Sequence, residues 1–175
     1  MQKLKPALFF CLIILCSATF KTGSGEKVAW MKIDDISAKV KEQSKPVLID
    51  LYTDWCHWCK VMDKKTYANP KVIAYINEHF YSSKVNAETK NPVNWKDKIY
   101  KYNAKYQIND FALFITYGRT SFPTTVIIAD ETSQPIPVSG YLEPKELEPI
   151  LKYFGEGAYK TMNFPQFEKT FKSSW

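Results

Sequence analysis

Between Lys45-Pro46 and Thr53 the chain reads Val47-Leu48-Ile49-Asp50-Leu51-Tyr52, and a short turn later it reads Cys56-His57-Trp58-Cys59. A short, mostly apolar run rich in strand formers suits a strand covered on both faces, as in the sheet of an α/β protein. Thr53-Asp54-Trp55 turns the chain, and a helix is predicted to start near Cys56. The two cysteines therefore fall where a buried strand hands over to a helix. Asp50 interrupts the apolar run. A carboxylate there must reach solvent from the strand end or accept the consequences of burial.

The other periodicities supply the layers around this strand. Ile33, Ile36 and Val40 predict a helix over 31–43, ended by Lys45-Pro46. Asn69-Pro70 opens a helix with Val72, Ile73, Ile76 and Phe80 on one face, and 81–86 reads as a strand. Residues 87–108 are polar and rich in Lys, Tyr and Asn, an insertion with a small hairpin around Lys96-Asp97-Lys98. Asn109 caps a helix through Phe111, Leu113 and Phe114 that Gly118 ends. A strand is predicted over 124–129 and a turn over 130–134. Residues 135–140 form an edge strand, because Pro135 and Pro137 cannot donate to a ladder. A helix over 144–154 turns Leu147, Ile150 and Leu151 inward, with Gly155 beyond its end. A last short helix over 165–172 carries the stripe Phe164, Phe167 and Phe171. This order predicts an α/β sandwich, a central mixed sheet flanked by helices.

Lys3 and Lys5, the apolar run 7–16 and the small residues Ser17, Ala18 and Thr19 have the three-part form of a secretory signal peptide spanning 1–18. The run is shorter than the ~20 residues a membrane span needs. A buried hydrophobic helix and lipoprotein processing at Cys16, giving a lipid anchor, are the alternatives. Cleavage removes Cys11 and Cys16 and leaves Cys56 and Cys59 alone. A pair so close in sequence closes too small a loop to constrain the unfolded chain much, so its role is chemical rather than structural. The net charge of +6 is dispersed, with no block of like charges and no basic stripe, which argues against nucleic acid. Apolar residues at 45% and charged ones at 24% exclude a disordered tail.

At a helix start the first amides lack internal partners and carry partial positive charge, which stabilises a thiolate. Cys56, at the exposed end, would attack, and Cys59, one turn in and shielded, would resolve the mixed disulfide. An inert disulfide and half a zinc site stand as alternatives. Zinc wants four ligands, and besides the pair the exported chain offers only His57 and His79. His57 is either a plain exposed residue or an imidazolium that favours the Cys56 thiolate. His79 reads as a helix-end residue without a catalytic role. Trp55 and Trp58 either pack or form a surface for peptide substrates.

The segment 47–60, ending Trp55-Cys56-His57-Trp58-Cys59-Lys60, resembles the active-site segment of the thioredoxin family, in a form closer to exported bacterial thioredoxin-like proteins. The resemblance covers about 45–154, the insertion excepted. It implies a thioredoxin fold, with an insertion before a cis-proline loop at Ser121-Phe122-Pro123-Thr124 and a short C-terminal extension. It implies that Asp50 is the buried acid that relays a proton for Cys59, and that Lys84 is its lysine neighbour; otherwise Lys84 is a solvated surface charge and Pro123 a trans proline opening a strand. Trp55, His57, Trp58, Phe122 and Pro123 become the substrate-binding set. The domains implied are 26–155, thioredoxin-like, and 156–175, an extension packed on it. His57-Trp58 stands where thioredoxin has Gly-Pro, which leaves redox direction open. The expected activity is thiol–disulfide exchange, leaning to reductase, on protein substrates with thiols or disulfides. It requires no organic cofactor and no metal, and an envelope redox partner regenerates the dithiol. The location implied is the bacterial periplasm, with membrane contact only through a lipid anchor. Two other classes stand beside it: a binding module on the same fold that holds a partner without turnover, and metal carriage by the dithiol.

Overall fold

The computed structural model describes residues 27–175. The expected signal peptide and the alternative at Cys16 lie outside those residues. In chain order the elements are α1 (Ile33–Glu42), β1 (Val47–Tyr52), α2 (His57–Lys65), α3 (Pro70–His79), β2 (Tyr81–Asn86), β3 (Val93–Trp95) and β4 (Lys98–Tyr100). There follow β5 (Tyr102–Asn103), β6 (Ile108–Asn109), α4 (Asp110–Thr116), β7 (Thr124–Ile128), β8 (Ile136–Ser139), α5 (Pro144–Gly155) and α6 (Phe164–Thr170), with a single 3-10 turn, Ala158–Lys160, before α6.

The central sheet has the order β2-β1-β7-β8. β1 runs parallel to β2 and antiparallel to β7, and β7 is antiparallel to β8. The sheet is therefore mixed, and its two inner strands are the apolar ones, as burial on both faces requires. Alternation along β1 divides the core. Ile49 and Leu51 join Ile36, Val40, Phe111 and Ile115 on one side. Leu48 joins Met62, Val72, Ile76, Leu147 and Leu151 on the other. Asp50, two residues from Leu48, points to that second side, where α2 packs. β8 is one edge of the sheet, and Pro137 sits in it without cost to a further ladder.

The insertion folds as two hairpins. β3 and β4 pair around Lys96 and Asp97, both left-handed at φ 50° and 64°. β5 and β6 pair in a second, smaller hairpin. Trp95 and Tyr100 are buried and meet Phe111 at 6.2 and 5.4 Å between ring centroids. The insertion is thus a cover for the α1 and α4 face rather than a loose excursion. α4 stops earlier than its glycine predicts: Tyr117 takes the left-handed position first, at φ 54°, and its hydroxyl donates to the Pro135 carbonyl at 2.8 Å. Gly155 is the last residue of α5 and not the one beyond it. Its Cα faces the Tyr75 ring so closely that a Cβ would lie 2.8 Å from the hydroxyl.

The last residues are tied to the domain by a buried acid. Glu148 on α5 has no exposed surface. Its carboxylate accepts from the Ser173 hydroxyl (2.6 Å), the Ser174 hydroxyl (2.7 Å) and the Ser174 and Trp175 amides (3.0 and 3.1 Å). Lys152 lies 3.2 Å away. Burial works against its ionisation, but these hydrogen bonds outweigh it and hold the carboxyl at about 2, below its ordinary 4.5. Among the described residues no helix is long and apolar enough to cross a membrane.

Because the Glu148 pKa is depressed on folding, its contribution is present above pH 4.5 and is lost as the pH falls toward 2. Glu148→Ala is expected to lower unfolding stability at pH 7 by about 2 kcal/mol, since it removes the charged acceptor that ties Ser173, Ser174 and Trp175 to α5. Urea unfolding at pH 7 and pH 3 checks this: the difference between variant and parent must shrink at the lower pH.

Candidate active site

α2 begins where β1 and its turn deliver Cys56. Cys56 is the N-cap residue, and its sulfur accepts the Cys59 amide at 3.1 Å. The Cys56 amide donates back to the Thr53 carbonyl at 3.1 Å. The two cysteines are joined as a disulfide, with Cα atoms 5.4 Å apart. The first turn of α2 has no acidic residue, so nothing there offsets the positive helix end. The expected contrast of an exposed Cys56 and a shielded Cys59 is not found: they are 4% and 3% exposed. The Cys56 sulfur is turned into the helix start as its cap, which removes it from the surface.

Asp50 is 2% exposed and does not reach solvent. One carboxylate oxygen lies 2.8 Å from the Lys84 ammonium. The other has no hydrogen-bond partner among the described residues. Burial pushes its carboxyl up from 3.8 to about 6; Lys84 opposes that rise and the charge of Asp63 adds to it. Lys84 is no solvated surface charge. Its neighbour across the parallel β1–β2 ladder is Asp50 itself. The ammonium bridges Asp50 and Asp63 of α2. It also lies over three rings, 5.0 Å from Tyr52, 5.8 Å from Trp30 and 6.0 Å from Tyr67. Burial works against its charge, but the two carboxylates outweigh that and keep its pKa above the ordinary value. Asp63, Trp30, Tyr52 and Tyr67 escaped the sequence reading. Asp63 had a legible signal, one helical turn after Cys59; the rings had none.

The remaining candidates surround the pair. Trp55 and Trp58 are 67% and 56% exposed. Trp58 meets His57 at 5.9 Å and Tyr141 at 5.5 Å between centroids, and His57 is exposed. Trp55 meets Phe122 edge-on at 6.0 Å. The Phe122–Pro123 peptide bond is cis. Pro123 is buried, and its carbonyl accepts the Gly140 amide at 2.8 Å. His79 is not brought to this site. It stacks on Tyr75 at 4.2 Å, at the end of the sheet where β1 and β2 begin. Among the described residues no three His, Cys, Asp or Glu side chains cluster as a metal site.

Residues 12–154 match the family described as Thioredox_DsbH, protein of unknown function, DUF255. The chain belongs to this family. Over 41 residues, 23% of this chain and 7% of the relative, it is 44% identical to the thiol:disulfide interchange protein DsbD of Escherichia coli strain K12. The chain spans 8% or 7% of the length of the curated relatives it matches. Two solved structures share its fold. One, described as a thioredoxin-fold protein from Helicobacter pylori, has a TM-score of 0.56 at 20% identity, covering 84% of this chain and 88% of that one. The other, described as DsbH oxidoreductase, has a TM-score of 0.54 at 17% identity, covering 76% and 88%. The α/β thioredoxin fold is thereby shown.

Since folding raises the Asp50 pKa from 3.8 to about 6, ionising it costs stability, and that cost appears as the pH rises through this window. Asp50→Asn is therefore expected to be more favourable to stability at pH 8 than at pH 4, by up to about 3 kcal/mol. Denaturant unfolding at both pH values checks it; an equal effect at both contradicts a buried, hard-to-ionise acid.

Proposed function

From membership of this family, we propose that the chain is an exported thiol–disulfide oxidoreductase that reduces disulfides in protein substrates. The observation that carries this reading is the Cys56–Cys59 disulfide at the start of α2, directly after the strand that buries Asp50 against Lys84. In the dithiol form, the Cys56 thiolate attacks one sulfur of a substrate disulfide. A Cys56–substrate disulfide forms, and the first substrate sulfur leaves and takes up a proton. The Cys59 thiol then gives its proton to the Asp50 carboxylate, and its sulfur attacks Cys56. The Cys56–Cys59 bond forms, and the second substrate sulfur leaves as a thiolate and takes up a proton from water, to which Asp50 returns the one it took from Cys59. Two electrons pass from the dithiol to the substrate, so an envelope dithiol partner restores the pair. The partial charge of the α2 start favours the Cys56 thiolate. Lys84 keeps Asp50 ionisable despite its burial. Trp55, Trp58, Phe122 and Pro123 form the surface that meets the substrate, with His57 beside them.

In the same reading residues 1–18 are a leader that directs export, with lipid attachment at Cys16 as the other outcome. Residues 26–155 form the redox domain, with the insertion at 87–108, and 156–175 brace it. The working compartment is the periplasm. No organic cofactor or metal enters the reaction, and nucleic acid is not a partner.

Cys59→Ser leaves the mixed disulfide unresolved. Expressed in the envelope, this variant is expected to accumulate protein adducts that dithiothreitol releases, and Cys56→Ser none. A Cys59→Ser protein without adducts contradicts the enzyme and leaves the binding module. Equilibration with glutathione gives the direction: a reductase is expected near thioredoxin's value of about −270 mV, and a value toward about −120 mV reverses it.

A further inference from the structure

Asp50 lies in a polar row that crosses three strands of the sheet. The register sets Lys84 of β2 beside it on one side and Thr125 of β7 on the other. Residues paired in this way point to one face, so the three side chains stand in line. Lys84 takes one Asp50 oxygen at 2.8 Å, while the other, Oδ1, is buried and has no donor among the described residues. Thr125 carries a hydroxyl on that side, but its oxygen is engaged with the Tyr67 hydroxyl at 3.4 Å. Both residues are buried. The Tyr67 ring is fixed in turn, with Trp30 edge-on at 5.1 Å and the Lys84 ammonium 6.0 Å from its centre. Burial, and after it the charge of Asp50, hold the Tyr67 pKa well above its ordinary value, so Tyr67 stays a neutral hydroxyl. The charged and titratable groups that face Asp50 are Lys84 from β2, Asp63 from α2, Tyr52 from the end of β1 and Tyr67 from the turn after α2. β7 brings none, so Thr125 is its whole polar contribution beside the acid.

We propose that Tyr67 is a positioning residue that anchors the Thr125 hydroxyl away from Asp50, so that the acid keeps one oxygen without a donor and stays basic enough to take the proton of Cys59. This rests on the disulfide-exchange reading above. Whichever of the two hydroxyls donates, the contact sets the Thr125 rotamer with its oxygen toward Tyr67. Threonine is stiff at χ1, so an oxygen held there is kept from the carboxylate. A hydroxyl donating to Oδ1 would favour the charged form of Asp50 and lower its affinity for a proton. A weaker base takes a thiol proton less readily near neutral pH. Tyr67 thereby works in the same direction as the sharing of Lys84 with Asp63: each leaves Asp50 short of partners.

The test is the NMR titration of the Asp50 carboxyl carbon in the disulfide form, with Asp50→Asn to identify its signal, beside the pH profile of insulin reduction. The parent midpoint is expected at about 6 in both. Tyr67→Phe keeps the packed ring and frees Thr125 to turn to Asp50. Both midpoints should then fall by about one pH unit, the effect of one hydrogen bond to a charged group. Thr125→Val alone should leave the midpoint where it is, and Thr125→Val added to Tyr67→Phe should return it to the parent's value. An unmoved midpoint in Tyr67→Phe overturns the proposal, as does a fall that persists when Thr125→Val is added. A midpoint raised by Thr125→Val alone also overturns it, because Thr125 would then already donate to Asp50. A parent that does not reduce insulin refutes the exchange reading and with it the role of Tyr67 in the reaction, while the carbon titration still reports whether Tyr67 holds Thr125 from the acid.

Discussion

The site depends on one arrangement: a carboxylate buried in the middle of the sheet against an ammonium from the neighbouring strand. The parallel register of β1 and β2 sets Asp50 opposite Lys84, and a slip by one residue would turn Asp50 to the other face of the sheet. Removing a charge from water is costly unless it is paired. Asp50 is paired through one oxygen only. Lys84 is shared with Asp63 and sits among three rings, so its charge is not Asp50's alone. The outcome is an acid that titrates at about 6 rather than at 3.8. Such a group can both hold and release a proton near neutral pH, as a dithiol step asks of it.

The remainder of the fold serves to present the cysteines at the end of that strand. β1 is held between β2 and β7, with an apolar layer on each side. Its direction fixes where the turn 53–55 emerges and where α2 starts. Around this base three segments outside the sheet meet at the surface: Trp55 from the turn, Phe122 from the loop before β7, and Glu88 from the insertion. The chemistry thus comes from the sheet, while the walls around it come from the connecting segments. The extension after α5 is fastened by Glu148 on a separate side chain network and does not enter the site.

Much of this was legible in the sequence because burial leaves patterns. The run 47–52, the Asn69-Pro70 cap and Pro137 of the edge strand each reflect a local rule, and each lies where that rule places it; Pro135 falls just before the strand. The hairpin at Lys96-Asp97 was legible from its turn. The β5–β6 hairpin was not, because strands of two residues show no alternation. Lys84 was reached through the family resemblance and not from its own neighbours in sequence, and Glu148 was hidden. A charged residue signals solvent by type, and its burial depends on partners far away in sequence: Asp63 for the first, Ser173 and Ser174 for the second. Glu88 belongs to the same class, since only folding brings it to Trp55. The burial of Cys56 is not legible in the sequence, because position at a helix start does not say which way the capping atom turns.

The most direct test of the central claim is the pH dependence of disulfide exchange, measured as the rate at which the reduced chain cleaves insulin between pH 5 and pH 9, beside the same profile for Asp50→Asn. If Asp50 takes the proton of Cys59, the parent rate climbs through a midpoint near 6 that the variant lacks. Superimposable profiles, or no cleavage by the parent at any pH, would contradict a buried acid that drives the exchange.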